Sequence, residues 1–210
     1  MLINALSAQV LCIDVQEKLL AAMLGRDELL KNAERICAAA THLGVPVTAT
    51  EQSPEKLGRT DLCLRKYIQN TVPKLAFGAV DEVLLDVLLP EPGSGQNQHG
   101  QQNQYKGASG KSVPKHLRKP EPDEERDNIV LFGAEAHICV LQTAIQLLEQ
   151  DLIVWVVTDA CASRSLANRD AAFDRLAANG CELITTEMFV FELLRSAEHP
   201  KFKQVQALIK

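Results

Sequence analysis

A cysteine in the second half of the chain, Cys139, has a position suited to nucleophilic chemistry. It follows the apolar run 128–132 and the turn 133–138, and it opens a segment with helical spacing, 139–150. Unpaired N–H groups and the positive end of the dipole at a helix start can stabilise a thiolate. Asp14 follows another apolar run, 10–13, and its carboxylate could take the thiol proton. Residue types alone leave two interpretations open: a catalytic Cys–Asp pair, or a packing cysteine and a turn-capping aspartate.

His137 offers a competing base, because Cys–His pairs also carry out acyl transfer. Two residues apart in a turn is too close to assume that the two side chains align, so we expect a capping or supporting role. Motifs for nucleotides are missing: no G-x-G-x-x-G follows the first apolar run, and no G-x-x-x-x-G-K-[ST] occurs. Dinucleotide and P-loop functions therefore lose their main support.

The elements that must position these residues alternate between strands and helices. We predict strands over 10–13, 45–50, 128–132, 152–158 and 181–185, and helices over 27–42, 80–89, 139–150, 166–179, 187–194 and 202–209. Continuous apolar strands alternating with helices predict an α/β fold, a doubly wound and mostly parallel sheet with helices on both faces. Ligands bind such sheets beyond the carboxyl ends of the strands, which is where Asp14 and Cys139 lie.

One segment, 90–127, differs in composition from the rest. Pro, Gly, Gln, Asn and charged residues dominate it, and such a segment buries too little apolar surface to offset its ordering entropy. We interpret the chain as a single domain, 1–210, interrupted by a flexible insertion at 90–127. The insertion is either a tolerated loop or a lid or partner-binding loop.

The composition of the chain disfavours some classes of binding partner. The chain has 210 residues, a formal net charge of −5 and 4% aromatic residues, which argues against nucleic acid as a partner. No apolar run of about 18 residues predicts a membrane span. Six cysteines occur without a C-x-x-C pair or a secretory signal, so we expect free thiols in the cytoplasm, most of them packing residues.

Several segments together resemble the isochorismatase-like cysteine hydrolases, and in particular the small isochorismatase domain-containing branch. They occur in family order and cover nearly the whole chain outside the insertion: VLCIDVQEKL around Asp14, TEQSPEKLGRT from Thr50 to Thr60, PKLAFGA around Lys74, GAEAHICVLQTAIQLLEQ from Gly133, DACASRS from Asp159 and TTEMFVFELL from Thr185. Each segment alone is a weak signal, and the set is a strong one.

The resemblance implies a catalytic triad of Asp14, Lys74 and Cys139. Asp14 would take the thiol proton, Lys74 would hold the charged groups in place, and Cys139 would form a thioester with the substrate. Residue types alone would instead make Lys74 an exposed cation after Pro73. The resemblance also implies a cis peptide bond before Glu135 and an oxyanion hole built from the backbone N–H groups of Glu135 and Cys139.

The substrate pocket and the metal content follow from the same comparison. We expect Phe77 and His137 to line the pocket and Gln16 and Gln52 to contact the substrate, with packing or backbone capping as the alternatives. Nicotinamidases carry an Asp and two His as metal ligands after the second strand, where this chain has Glu51-Gln52-Ser53. We therefore expect no metal and no cofactor, and nicotinamide is a doubtful substrate.

The sequence thus predicts a cysteine hydrolase of a small amide- or imide-like molecule, and the resemblance implies a homo-oligomer. Two alternatives stay open: a catalytically silent binding or scaffold protein with the same fold, and an isochorismate-type ether hydrolase. Arg164 is expected to brace a loop or a subunit interface.

Overall fold

A six-stranded sheet forms the centre of the computed structural model, which describes residues 1–90 and 126–210. Its strands are β1 (Ala8–Ile13), β2 (Val47–Gln52), β3 (Asn70–Lys74), β4 (Asn128–Ala134), β5 (Ile153–Ala162) and β6 (Glu182–Ile184). They lie in the order β3-β2-β1-β4-β5-β6, and every neighbouring pair is parallel. The predicted α/β class is confirmed, and the sheet is wholly parallel where a mostly parallel one was predicted.

Helices connect the strands and pack on the sheet. In the described part of the chain they are α1 (Glu17–Leu20), α2 (Arg26–Leu43), α3 (Pro54–Leu57), α4 (Leu62–Arg65), α5 (Glu82–Leu88), α6 (Leu141–Leu148), α7 (Leu166–Ala178), α8 (Thr186–Leu194) and α9 (Phe202–Gln206), with a 3₁₀ turn at Ala207–Ile209. α2 packs against α8 and α9, and α6 packs against α7. α2 ends at Gly44, whose φ of 74° is the left-handed conformation that glycine adopts most readily.

The order of the strands explains where a site can form. The chain runs outward from β1 to β2 and β3, then returns to place β4 on the other side of β1. The carboxyl ends of β1 and β4 therefore flank the point where the winding direction changes, which is where open parallel sheets bind ligands. Asp14 follows β1 and Cys139 follows β4, so the topology brings both residues to that edge.

Gly133 allows the two strands to approach closely at this point. Its φ is 139°, and a Cβ there would collide with the carbonyl oxygen of Ile13. The register between β4 and β5 shifts at the same place, between Leu131 and Gly133. A larger residue would push β4 away from β1 at the base of the site.

Two differences between the predicted layout and the structure bear on the site. β3 was not predicted, because it is a short edge strand with exposed Asn70 and Thr71 and a proline at 73, and it lacks an apolar run. The predicted helix 139–150 is preceded by a π-helical turn, Ala136–Val140, so Cys139 lies inside a turn that continues into α6.

Two further predictions concern regions beyond the sheet. The predicted insertion at 90–127 lies outside the described residues except for its ends. Across 1–90 and 126–210, no helix is long and apolar enough to cross a membrane.

Candidate active site

A buried ion pair lies at the carboxyl edge of the sheet. Lys74 Nζ is 2.7 Å from Asp14 Oδ2, and the two side chains are 3% and 0% exposed. Lys74 is the last residue of β3 and pairs in register with Gln52 of β2. Thr50, at the end of β2, donates its hydroxyl hydrogen to Asp14 Oδ1 over 2.7 Å. Burial in a low-dielectric setting makes this pair strongly interdependent, because either charge alone would be poorly solvated.

The three N–H groups of the Lys74 ammonium are matched by three neutral acceptors. Nζ donates to Gln52 Oε1 at 2.7 Å and to the carbonyl oxygens of Ala76 and Phe77 at 3.2 and 3.0 Å. Among the described residues, Asp14 Oδ2 is the buried side-chain oxygen that accepts no N–H or O–H hydrogen bond. The carboxylate is thus held by charge on one oxygen and by Thr50 on the other, and Oδ2 keeps lone pairs that can accept a proton.

Cys139 lies within the field of this pair. Burial raises the pKa of its thiol to about 12, and the negative charge of Asp14 and a hydrogen bond to that carboxylate act in the same direction. The Lys74 ammonium and the backbone N–H of Glu135 lower the thiol pKa, but their combined effect is smaller than that of burial and Asp14. The side chain is buried and the thiol is protonated at neutral pH. Burial and the charge of Asp14 therefore act against the helix start, which was expected to stabilise a thiolate.

The turn that carries Cys139 contains the predicted cis peptide bond, Ala134–Glu135. The carbonyl oxygen of Glu135 accepts hydrogen bonds from the N–H groups of Ile138 and Val140, at 3.1 and 3.2 Å. The Glu135 side chain is nearly buried, and its carboxylate pairs with Arg164 over 2.9 Å. Arg164 thus braces the turn, as expected for this residue.

Both ring nitrogens of His137 have partners other than Cys139. Its Nε2 accepts a hydrogen bond from the Asn168 side-chain amide at 3.2 Å, and its Nδ1 lies 3.0 Å from Ser163 Oγ. One ring nitrogen therefore contacts the segment that joins β5 to α7, and the other contacts the first turn of α7. The geometry favours the supporting role over a Cys–His pair, and it gives the predicted pocket role of His137 no direct support.

The two predicted glutamine contacts have other partners. Gln16 is fully buried, and its amide group donates to the carbonyl oxygens of Gln52 and Gly58 and accepts from the Gln52 N–H. It therefore links the end of β2 to the turn at Gly58, which matches the backbone-capping alternative and not the predicted substrate contact. The Gln52 side chain binds Lys74 through Oε1 and donates to Leu75 O at 2.7 Å. Gln52 thus orients the ammonium, and its amide is not presented to a ligand.

Phe77 is the most accessible of the predicted pocket residues. Its side chain is 56% exposed, which excludes simple core packing. A cavity of about 670 Å³ is bordered by Lys74, Leu75, Pro54 and Asp81, and neither Phe77 nor Cys139 is among its lining residues. A second cavity, of about 330 Å³, lies beside Cys161 and Arg169. The role of Phe77 stays a prediction.

Glu51 stands where nicotinamidases carry a metal ligand, and here it holds a loop. Its Oε1 accepts hydrogen bonds from the N–H and hydroxyl groups of Thr60, at 2.7 and 2.9 Å. Within 1–90 and 126–210, no three His, Cys, Asp or Glu side chains are grouped so that they could hold a metal ion.

Sequence reasoning missed two sets of contacts in this region. Thr50 was identified only as the end of a strand, although the pairing of β1 with β2 places it opposite Ile13 and beside Asp14. Ser163 and Asn168 were not identified, because nothing local in the sequence links α7 to the turn of Cys139. Of the other cysteines, four are buried as predicted, and Cys63 is half-buried.

Comparisons with known proteins identify the family and the fold. The family model described as the Isochorismatase domain matches residues 8–188. Isochorismatase domain-containing protein 1 of Danio rerio is 32% identical over 203 residues, which are 95% of this chain and 59% of the relative. Isochorismatase domain-containing protein 2 of Bos taurus is 32% identical over 204 residues, covering 97% and 83%. The chain therefore spans less than two thirds of the length of the Danio rerio relative.

Solved structures share the fold. A structure described as the MAR1 ribonuclease from Caenorhabditis elegans has a TM-score of 0.79 and 30% identity, covering 100% of this chain and 92% of that one. The YcaC gene product of Escherichia coli, described as an octameric hydrolase of unknown specificity, has a TM-score of 0.73 and 18% identity, covering 99% and 95%. The second likeness concerns the fold alone.

Proposed function

Because this chain belongs to the isochorismatase family, we propose that it is a cysteine-dependent hydrolase of a small amide- or imide-like substrate. In this proposal Cys139 is the nucleophile, Asp14 the base and Lys74 the group that holds the charges in place. The observation that carries the proposal is the buried Asp14 Oδ2, which lies 2.7 Å from the Lys74 ammonium nitrogen and accepts no N–H or O–H hydrogen bond. A carboxylate oxygen kept in this state beside a protonated thiol is arranged to receive a proton.

The first step is transfer of the thiol proton to Asp14 as the sulfur attacks the substrate carbonyl carbon. A thiol with a pKa of about 12 supplies little thiolate to solvent at neutral pH, so a base inside the site is required. Lys74 keeps its charge near the reacting atoms throughout the step. Its position 2.7 Å from Asp14 offsets the negative charge that moves from the carboxylate to the substrate.

The attack forms a carbon–sulfur bond and places a negative charge on the former carbonyl oxygen. The backbone N–H groups of Glu135 and Cys139 donate to that oxygen, which is the role expected of an oxyanion hole. The carbon–nitrogen bond then breaks, and the leaving nitrogen takes the proton from Asp14. Water attacks the resulting thioester with Asp14 again as base, releasing the acid and restoring the thiol.

A panel of primary amides and cyclic imides tests the reaction class. The wild-type chain is expected to hydrolyse at least one member, and the Cys139→Ala and Asp14→Asn variants are expected to lose that activity. The Cys181→Ala variant is the matched control, since Cys181 is also buried but lies at the start of β6, away from the ion pair. Equal activity in the wild-type and Cys139→Ala chains would contradict the assignment.

Isochorismate and an RNA oligonucleotide belong in the same panel. The relative with 30% identity is described as a ribonuclease, whereas this chain has a net charge of −5, which disfavours binding to a polyanion. Turnover of isochorismate that survives Cys139→Ala would support an ether hydrolase. Inactivity of the wild-type chain on every member would support a binding or scaffold protein.

Assembly into a homo-oligomer stays a prediction, and sedimentation of the full chain measures it.

A further inference from the structure

The segment that joins β5 to α7, together with the first turn of α7, holds the turn of Cys139 at two points. One contact is made by Arg164 to Glu135, and the other by Ser163 and Asn168 to His137. The two residues that are held in this way, Glu135 and His137, lie four and two positions before Cys139. The proposed reaction uses the backbone of this turn and neither of these side chains, so the contacts need a separate explanation.

The Arg164 contact is the more specific of the two. The side-chain Nε and the backbone N of Arg164 both donate to Glu135 Oε2, at 2.9 and 3.3 Å. The Glu135 side chain is 8% exposed and that of Arg164 is 59% exposed. Two donors from one residue thus converge on a single oxygen of a nearly buried carboxylate, which fixes the orientation of residue 135.

That orientation matters because of the backbone of Glu135. Its N–H hydrogen-bonds the Cys139 sulfur, which lowers the thiol pKa, so this N–H lies next to the atom that attacks the substrate carbonyl in the proposed reaction. Donors of an oxyanion hole act only when they lie within about 3 Å of the developing charge. Misplacement of reacting groups by about 1 Å can reduce a rate by about two orders of magnitude.

We propose that Arg164 is a positioning residue, which holds Glu135 through its carboxylate so that the Glu135 N–H is aimed at the oxyanion. The inference rests on the proposed function, since it assumes acyl transfer to Cys139. Arg164 is more than half exposed whereas Glu135 is 8% exposed, so loss of Arg164 leaves a nearly buried carboxylate without its partner and is expected to affect folding as well. The measurement must therefore separate the effect on the reaction from the effect on folding.

Two reagents with different demands separate positioning from a general structural effect. Acylation by p-nitrophenyl acetate forms a carbon–sulfur bond, breaks the carbon–oxygen bond to release p-nitrophenolate and passes through an oxyanion. Alkylation by iodoacetamide displaces iodide from a saturated carbon and needs no oxyanion hole. Both reactions require loss of the thiol proton, so the ratio of their rate constants at Cys139 cancels any change in thiol ionisation. Peptide mapping assigns each adduct to its cysteine.

The variants are Arg164→Gln and Arg164→Lys, with Arg169→Gln as the matched control. Arg169 lies on α7 and pairs with its neighbour Asp170 at 2.8 Å, so it tests loss of a nearby arginine. We expect the acylation-to-alkylation ratio to fall about tenfold in Arg164→Gln, less than the 10²–10³ seen when an oxyanion donor is removed outright. A smaller fall is expected in Arg164→Lys, because lysine keeps the charge without the guanidinium geometry. The Arg169→Gln ratio should equal that of the wild type.

Three results would overturn the inference. One is an unchanged ratio in the folded Arg164 variants, and another is an equal fall in Arg169→Gln. If Arg164→Gln does not fold, Arg164→Lys alone decides. The third is a wild-type chain that p-nitrophenyl acetate does not acylate at Cys139, which would refute the proposed function and the inference with it. Normal acylation of the wild type with an unchanged ratio would refute the inference alone.

Discussion

Replacement of Lys74 by methionine tests how strongly the charges of the site depend on each other. Methionine keeps much of the side-chain length and removes the ammonium 2.7 Å from Asp14 Oδ2. Asp14 is then left with no exposed surface and no counter-ion, with only the Thr50 hydroxyl on its other oxygen. Breaking a buried pair in this way is expected to lower the unfolding free energy by about 3–5 kcal/mol. That loss is a large part of the roughly 5–15 kcal/mol available to a domain.

Asp14→Asn should be the milder change. The Lys74 ammonium keeps its three neutral acceptors, Gln52 Oε1 and the carbonyl oxygens of residues 76 and 77, so the loss is expected at about 1–3 kcal/mol. The double variant removes both charges, and it should be more stable than Lys74→Met alone. The coupling energy of this cycle is expected to be about 2 kcal/mol or more.

The assay is equilibrium unfolding in urea, followed by the fluorescence of Trp155. This residue is the sole tryptophan of the chain and is 2% exposed, so its emission reports on loss of the core. Lys66→Met is the control, because the Lys66–Glu34 pair is exposed on both sides and its loss should leave the unfolding free energy unchanged. A loss below about 1 kcal/mol for Lys74→Met, or additive losses in the double variant, would refute the account of the buried pair.

Three other predictions concern the surroundings of the site. Gly133→Ala should destabilise the fold by more than about 3 kcal/mol in the same unfolding assay, because its Cβ would meet the Ile13 carbonyl oxygen. Gly44→Ala, which meets no atom within 4 Å, should lose only about 1 kcal/mol, and equal losses would contradict this reasoning. Gln52→Leu removes the acceptor that lies 2.7 Å from the Lys74 ammonium, and it should slow acylation by p-nitrophenyl acetate about tenfold. The reason is that the ammonium can then turn an N–H towards the Asp14 oxygen that serves as base. An unchanged acylation rate would argue against this role of Gln52. Alkylation of Cys139 by iodoacetamide should still be rising at pH 9, because the thiolate fraction grows as pH approaches a thiol pKa of about 12, and a plateau near pH 8 would contradict the effect of burial.

The strands and helices that hold Asp14 and Cys139 could be predicted from sequence, because they are apolar and periodic. β1 and β4 are buried along their whole length, so their apolar runs stand out. The closeness of their carboxyl ends also follows, because doubly wound sheets form their ligand site where the winding direction changes. The meeting of a carboxylate and a thiol at one edge of the sheet was therefore accessible without coordinates.

Residue types alone did not place Lys74 in the active site, and only the family resemblance indicated this role. β3 exposes Asn70, Thr71 and Pro73 to solvent, so the segment looks like a loop. The burial of Lys74 comes from pairing with β2 and from acceptors on three other residues. Contacts of this kind depend on register and on loop paths, which a single sequence does not specify.

The pKa of the Cys139 thiol could not be predicted from the sequence for a different reason. Reasoning from a helix start considers only local dipoles, whereas burial and the charge of Asp14 come from the tertiary structure. The same applies to Gln16, whose polar side chain at a strand end suggested a ligand contact. The fold places it between the end of β2 and the turn at Gly58, where both of its amide hydrogens are used by backbone carbonyls.

The central claim is that Cys139 forms a covalent acyl intermediate, and intact-mass spectrometry tests it most directly. The full chain is mixed rapidly with p-nitrophenyl acetate, quenched in acid and compared with Cys139→Ala, in a Cys63→Ser background that removes the half-buried thiol. The account predicts one acetyl adduct that maps to Cys139, decays by hydrolysis and is absent from Cys139→Ala. An adduct of equal yield in Cys139→Ala, or its location on another residue, would contradict the account.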